Sequence, residues 1–186
     1  MDIKENVENN FYTLAIKTMP AEPITRTRLL RLSDAELLRF CETQAYKGSG
    51  PGGQHRNKTN SGVKLKLINF GIETYSCDDR SAHINKLFAL KKLRMKIALQ
   101  MREEPALQIP FAFPGTAGKI SADNKLYPEF IADVLDRAKA AGGDLGDAAK
   151  MWGLSKSALN KIILADKKIL EVLKRYFIPA LTKNVE

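Results

Sequence analysis

Cysteine is scarce in this chain of 186 residues: Cys41 and Cys77 are the only two, and they stand in no partner pattern. Neither a zinc site nor a disulfide framework follows from them. Both sit in apolar-leaning segments, where buried free thiols are expected. Histidine is equally scarce, with His55 and His83 alone. A Ser-His-Asp triad would have to pass through one of these two, and neither a nucleophile elbow nor an HExxH run is present. Covalent hydrolysis of the usual kind is therefore disfavoured. The phosphate-cradle signatures are missing too: there is no GKS or GKT, and no GxGxxG opening a helix in a βαβ unit. No apolar run approaches the length of a membrane span. The first residues, MDIKENVENNFYTLAI, are acidic and amide-rich, with no basic stretch before an apolar core, so no signal peptide is read there and a cytoplasmic protein is expected. No metal and no cofactor are implied.

Charge is what the chain has in excess. It carries 30 Lys+Arg against 21 Asp+Glu, a net of +9. The stretch from Ile24 to Met101 holds 15 of the basic and 6 of the acidic residues; the 15 basic and 15 acidic residues left elsewhere cancel. An excess confined to one half of a chain favours an anionic partner, and nucleic acid is the commonest large one.

Composition breaks at Arg102 to Pro128, which holds four prolines and excludes a continuous helix. The alternating Ile109, Phe111 and Phe113 are expected to pack on a neighbouring unit. The expected class is α+β: a first domain over 24–104 of mixed helices and strands, a linker or packing segment over 105–127, and an all-α domain over 128–186. In the first, the run Ser33 to Glu36 is a capping box opening a short helix. A strand is expected over Glu42 to Tyr46. Val63, Leu65 and Leu67 alternate with Lys64 and Lys66 in a half-buried strand, and a turn at Asn69 to Gly71 returns the chain as a hairpin. A long basic helix follows, with Ile84, Leu87, Leu90, Leu93 and Ile97 as its expected core stripe. In the second domain a helix begins near Pro128 and stops at Gly142 and Gly143. A helix-turn-helix-like hairpin turns at Gly153 and restarts at the cap Ser155. A last helix is expected from about Lys167 to Phe177, broken at Pro179.

The densest peculiarity is KGSGPGGQHRNKTNSG, Lys47 to Gly62. Each glycine costs backbone entropy on ordering, so a run this rich suits a place that needs bare backbone. Gly52 and Gly53 admit conformations closed to other residues. A backbone N–H held at such a tip is an oxyanion donor. Gln54 offers a donor and an acceptor and can orient water, but it is no general base. By composition alone, a flexible surface loop fits the same residues.

The run SGPGGQHRNKTNSGVKLKL, followed by the helix start RSAHINKLFALKKLRMKI from Arg80, resembles the catalytic domain of class I peptide chain release factors and the related ribosome-rescue hydrolases, over about Leu32 to Met101. The resemblance implies that Gly52, Gly53 and Gln54 enter the peptidyl transferase centre and meet the ester joining the nascent peptide to the P-site tRNA. It implies RNA contacts from Ser49, Gly50, Pro51, His55, Arg56, Asn57 and Lys58. Arg80, Ser81 and Asn85 would brace the loop or touch rRNA, and Lys91, Lys92 and Arg94 are read as a basic face toward RNA. Gln54 is the implied target of a glutamine methyltransferase. The partners implied are large-subunit rRNA and peptidyl-tRNA.

Two departures shape the expected role. Decoding release factors carry a stop-codon-reading domain ahead of this one, whereas only about thirty residues precede the match here. Tail-dependent rescue factors end in a long basic extension, whereas a helical domain stands in its place. The expectation is a ribosome-dependent peptidyl-tRNA hydrolase acting codon-independently, recruited through its helical domain by a ribosomal surface, a tRNA or a helper protein. Two other readings are a non-catalytic ribosome or RNA binder and a DNA-binding regulator. The second would use Lys156, Ser157, Asn160 and Lys161 of the hairpin, whose local charge is small for a phosphate binder.

Overall fold

The computed structural model describes residues 24–46 and 61–181, with side chains to residue 176. Two short helices open it, α1 (Arg26–Arg31) and α2 (Asp34–Arg39). The capping box at α2 is formed: Ser33 Oγ accepts from the Glu36 amide, and the Glu36 carboxylate accepts from the Ser33 amide at 2.8 Å. Three antiparallel strands follow in the spatial order of the chain, β1 (Cys41–Tyr46), β2 (Gly62–Leu67) and β3 (Ile72–Ser76). Register pairs Cys41 with Leu67 and Tyr46 with Gly62. Alternation in β2 sends Val63, Leu65 and Leu67 inward, while Lys64 pairs with Glu73 across the hairpin at 2.7 Å.

Helix α3 (Ala82–Gln100) lies across this sheet. Its buried stripe is Asn85, Ala89, Leu90, Leu93 and Ile97, whereas Ile84 and Leu87 are exposed together with Phe88. Two of the five residues expected in the core are thus outside it. Over the first two turns the inward positions run in steps of four from Asn85 to Ala89 to Leu93, which turns residues 84, 87 and 88 to solvent.

Residues 105–126 contain no helix longer than a turn, and they deliver Ile109, Phe111 and Phe113 to the core of the helical part. That part consists of α4 (Tyr127–Ala140), α5 (Gly146–Met151), α6 (Lys156–Ala165) and α7 (Lys167–Leu181). Trp152 stands at its centre, edge-on to Phe130 with ring centroids 5.0 Å apart, and its indole N–H donates to Asp133 at 2.8 Å. Gly153, at φ +64°, makes the turn between α5 and α6, and Ser155 caps α6 through the Ala158 amide. The backbone of α7 continues through Pro179 to Leu181, beyond the break expected from the sequence. Proline in the last turn forfeits one amide bond, a smaller loss than in a helix interior.

The two cores touch. Leu99 of α3 belongs to the helical core, and Ala132 of α4 belongs to the sheet core. At this seam Asp136 is buried between Arg26 and Arg102; Arg102 reaches it at 3.0 Å, and Arg26 Nη1 donates to its other oxygen. Glu103 extends the network, accepting from the Thr27 amide and hydroxyl at 3.1 and 2.6 Å and from Arg26 at 3.2 Å. A buried carboxylate is tolerated when its charge is matched and its lone pairs are filled, and here two guanidiniums do both.

Candidate functional site

The glycine-rich run is the connection between β1 and β2. Its tip, Gly52, Gly53 and Gln54, and the neighbours Ser49, Gly50, Pro51, His55, Arg56, Asn57 and Lys58 lie in 47–60, outside the described residues. What is described is the base from which the run springs. Tyr46 and Gly62 face each other as the last pair of the β1–β2 ladder. A Cβ on Gly62 would stand 2.2 Å from the Tyr46 carbonyl oxygen, so only glycine permits the strands to close this tightly.

Below that pair, Ser61 is clamped to the start of α3. Asn85, with no exposed surface, donates from Nδ2 to the Ser61 carbonyl at 2.9 Å and to the Asp79 carbonyl at 2.7 Å. Its Oδ1 accepts from the Asp79 amide at 2.9 Å. The amide side chain therefore uses both donors and its acceptor, and a buried polar group so satisfied is a rigid joint. Ser61 Oγ adds a bond to the Asp79 carbonyl at 3.3 Å. Asp79 Oδ1 accepts from the Ser81 amide at 2.7 Å, and Ser81 Oγ caps α3 through the Ile84 amide.

The expected RNA-facing residues separate on this frame. Arg80 is exposed beside the clamp, and Ser81 is the helix cap. Asn85 is buried, with both donors and its acceptor engaged by Ser61 and Asp79. Lys91 and Lys92 are exposed, the first paired with Asp123 and the second with Asp78 at 2.8 Å. Arg94 does not belong to that face. Its side chain is 16 % exposed and donates to the carbonyls of Leu30 and Leu32 at 2.8 and 2.7 Å and to Asp34 at 2.8 Å. Two positions beyond Lys92 it stands about 200° round the helix, which turns it onto the end of α1, where it satisfies orphan carbonyls.

Asp79, Ser61 and Gly62 were not singled out from the sequence, although Asp79 and Ser81 form a recognisable Asx turn in CDDRS. Tyr75 was missed too; it is 55 % exposed and packs against Tyr46 with centroids 4.7 Å apart, at the same end of the sheet. Burial pushes the Cys41 thiol up to about 11, as suits a core thiol rather than a nucleophile. Among the described residues no cluster of His, Cys, Asp and Glu could hold a metal ion, and no helix is long and apolar enough to cross a membrane.

The frame of strand, glycine run, hairpin and basic helix is shared. Residues 38–112 match the RF-1 domain. That span runs from the end of α2 through β1, the glycine run, the hairpin and α3. Peptide chain release factor 2 of Borreliella burgdorferi is 50 % identical over 52 residues, covering 28 % of this chain and 14 % of the relative. Peptide chain release factor 1 of Variovorax paradoxus is 37 % identical over 94 residues, covering 50 % and 24 %. Peptide chain release factor 2 of Buchnera aphidicola subsp. Baizongia pistaciae is 40 % identical over 70 residues, covering 38 % and 19 %. The chain thus spans about a quarter or less of the length of these release factors, and its likeness to them is that of the RF-1 domain. No solved structure matches the chain.

Proposed function

We propose that this protein hydrolyses the ester bond of peptidyl-tRNA on the ribosome, with Gly52, Gly53 and Gln54 as its catalytic tip. The observation that carries the reading is an unbroken Gly-Gly-Gln inside an RF-1 domain, on a run whose far end is clamped by Asn85. Water attacks the ester carbonyl, the carbonyl oxygen becomes an oxyanion, and the bond to the ribose 3′-oxygen breaks as that oxygen takes a proton. The backbone N–H of Gln54 stabilises the oxyanion, and its side chain places the water. Glycine at 52 and 53 lets the tip approach a bulky ester without a Cβ in the way. The tip holds no general base, so the proton path comes from the tRNA 2′-hydroxyl and rRNA. Gln54 is the residue a glutamine methyltransferase would modify.

The action is codon-independent in this reading, because the unit fused to the RF-1 domain is a helical one locked to it by the Asp136 seam. That unit would supply recruitment, by docking on a ribosomal surface, a tRNA or a helper protein. The deciding experiment is Gly53→Ala in single-turnover release of labelled peptide, on ribosomes with and without a stop codon, beside a pelleting assay. Release should fall by at least two orders of magnitude with pelleting intact, and wild-type release should be indifferent to the codon. Unchanged release in the variant would sink the hydrolytic reading.

A further inference from the structure

Between the RF-1 domain and the helical part lies an open cleft of about 1240 Å3, walled by β3 and α3 on one side and by the start of α4 and by α7 on the other. It exceeds the roughly 300–1,000 Å3 of a small-molecule pocket. Six cations line it, Lys91, Lys92, Lys96, Arg102, Lys168 and Arg175, against three acids, Asp78, Asp166 and Glu171. With the ion-paired groups set aside, three cations stand against Asp166 and Glu171, an excess of one positive charge. Three of these cations are engaged with carboxylates: Lys91 with Asp123, Lys92 with Asp78, Arg102 with Asp136. Lys96, Lys168 and Arg175 pair with no carboxylate among the described residues; Lys96 rests on the Glu73 carbonyl.

Aromatic faces open into the same space. Phe88 of α3 is 42 % exposed on one wall, and the part-buried Tyr176 lines the wall opposite. Cations outside any ion pair, set among aromatic rings, form the pattern that single-stranded nucleic acid recognises: rings stack unpaired bases while the cations track phosphates. A duplex hides its base faces and gains little from such rings. An apolar peptide would fill the ring sites but leave the three cations without partners.

Position adds to chemistry. Asn85, which clamps the base of the catalytic run, and Lys96, on the floor of the cleft, are eleven residues apart on one helix, about 16 Å along its axis. A strand held in the cleft would therefore fix α3, and with it the point from which the run springs. We infer that this cleft binds a single-stranded segment of ribosomal RNA, with Phe88 and Tyr176 as stacking faces and Lys96, Lys168 and Arg175 as phosphate contacts. The inference rests on the ribosomal reading above and deepens it by naming the recruiting surface.

The test uses the full chain, a labelled oligoadenylate of about twelve nucleotides, and a duplex of the same length, followed by anisotropy across a salt series. Single strand should bind more tightly than duplex. The pair Phe88→Ala and Tyr176→Ala should weaken oligoadenylate binding about thirtyfold or more without changing its salt dependence. The triple change Lys96→Gln, Lys168→Gln and Arg175→Gln should lower the slope of log K against log salt by about 2. Lys139→Gln, an exposed cation outside the cleft, should alter neither. Ribosome pelleting should fall in parallel with oligoadenylate binding. Affinity for oligoadenylate no better than for duplex, or unmoved by the cleft variants, overturns the inference. So does weakened pelleting with intact oligoadenylate binding, which would assign the cleft to a ribosomal protein. Intact release in Gly53→Ala would defeat the hydrolytic reading while leaving the cleft result standing.

Discussion

Replacing Asn85 by alanine removes three hydrogen bonds from a site with no solvent access. The Asp79 carbonyl keeps the Ser61 hydroxyl, but the Ser61 carbonyl and the Asp79 amide lose Asn85 with nothing to replace it. At about 1 kcal/mol net for each bond, the loss should be roughly 3 kcal/mol. A domain stable by about 5–15 kcal/mol survives that loss, so the variant remains a usable protein. Because one orphaned group is the carbonyl of Ser61, the last residue before β2, the damage should reach the base of the glycine run. Peptide release should therefore fall by more than the folded fraction does. Asn85→Asp sharpens the test. Its carboxylate can still accept from the Asp79 amide, but it turns both Nδ2 bonds into oxygen facing carbonyl oxygen. These contacts disfavour the charged form, so the aspartate pKa rises on folding. Its penalty is then smallest at low pH, where the acid is protonated in both states, and grows as pH climbs past the unfolded carboxyl pKa. Urea unfolding followed by circular dichroism, at two pH values, gives the stability; single-turnover release gives the function. A loss below about 1 kcal/mol in Asn85→Ala, together with unchanged release, would refute the clamp.

Gly62→Ala should cost about 2 kcal/mol, since its Cβ meets the Tyr46 backbone at 2.2 Å; Gly71→Ala, at φ +65° in open space, should cost about 1 kcal/mol and leave release untouched. Urea melts with a release assay separate the two. Asp136→Asn leaves Arg102 without a carboxylate and Arg26 with Glu103 alone, and should lose about 3 kcal/mol or more. Trp152 fluorescence, which reports the helical core, should then part from the circular dichroism transition of the whole chain; coincident curves at wild-type stability would deny the seam its role. Cys41, its thiol raised to about 11 by burial, has almost no thiolate at pH 8 and should resist iodoacetamide in the native protein, while Cys77 is modified first. Mass spectrometry of the alkylated peptides decides this, and early labelling of Cys41 would show the core to be open.

What was legible in the sequence follows the range of the forces that wrote it. The capping box at Ser33, the β2 alternation, the turn at Gly153 and the cap at Ser155 are settled within a few residues, and each stands where the sequence places it. The stripe of α3 was half legible. Its last turns show Leu90, Leu93 and Ile97 plainly, but its first turns bury a polar residue, Asn85, and expose three apolar ones, an arrangement no hydrophobic period can reveal. Arg94 misled for a similar reason. A guanidinium reads as a surface charge until the carbonyls that it serves, at Leu30 and Leu32, are brought beside it from sixty residues away.

The same logic explains the seam. Arg26, Arg102 and Asp136 look like ordinary surface charges in a linear reading, and the proline-rich stretch beside Arg102 looks like a linker. Burying Asp136 is tolerable only if both guanidiniums arrive with it, and that requirement ties α1, the end of α3 and α4 into one body. A free linker would let the helical part swing; a shared buried carboxylate does not. The consequence reaches the candidate site, because α3 carries the clamp at one end and the seam at the other. One continuous helix thus joins the seam of the helical part to Ser61, the residue at which the glycine run ends.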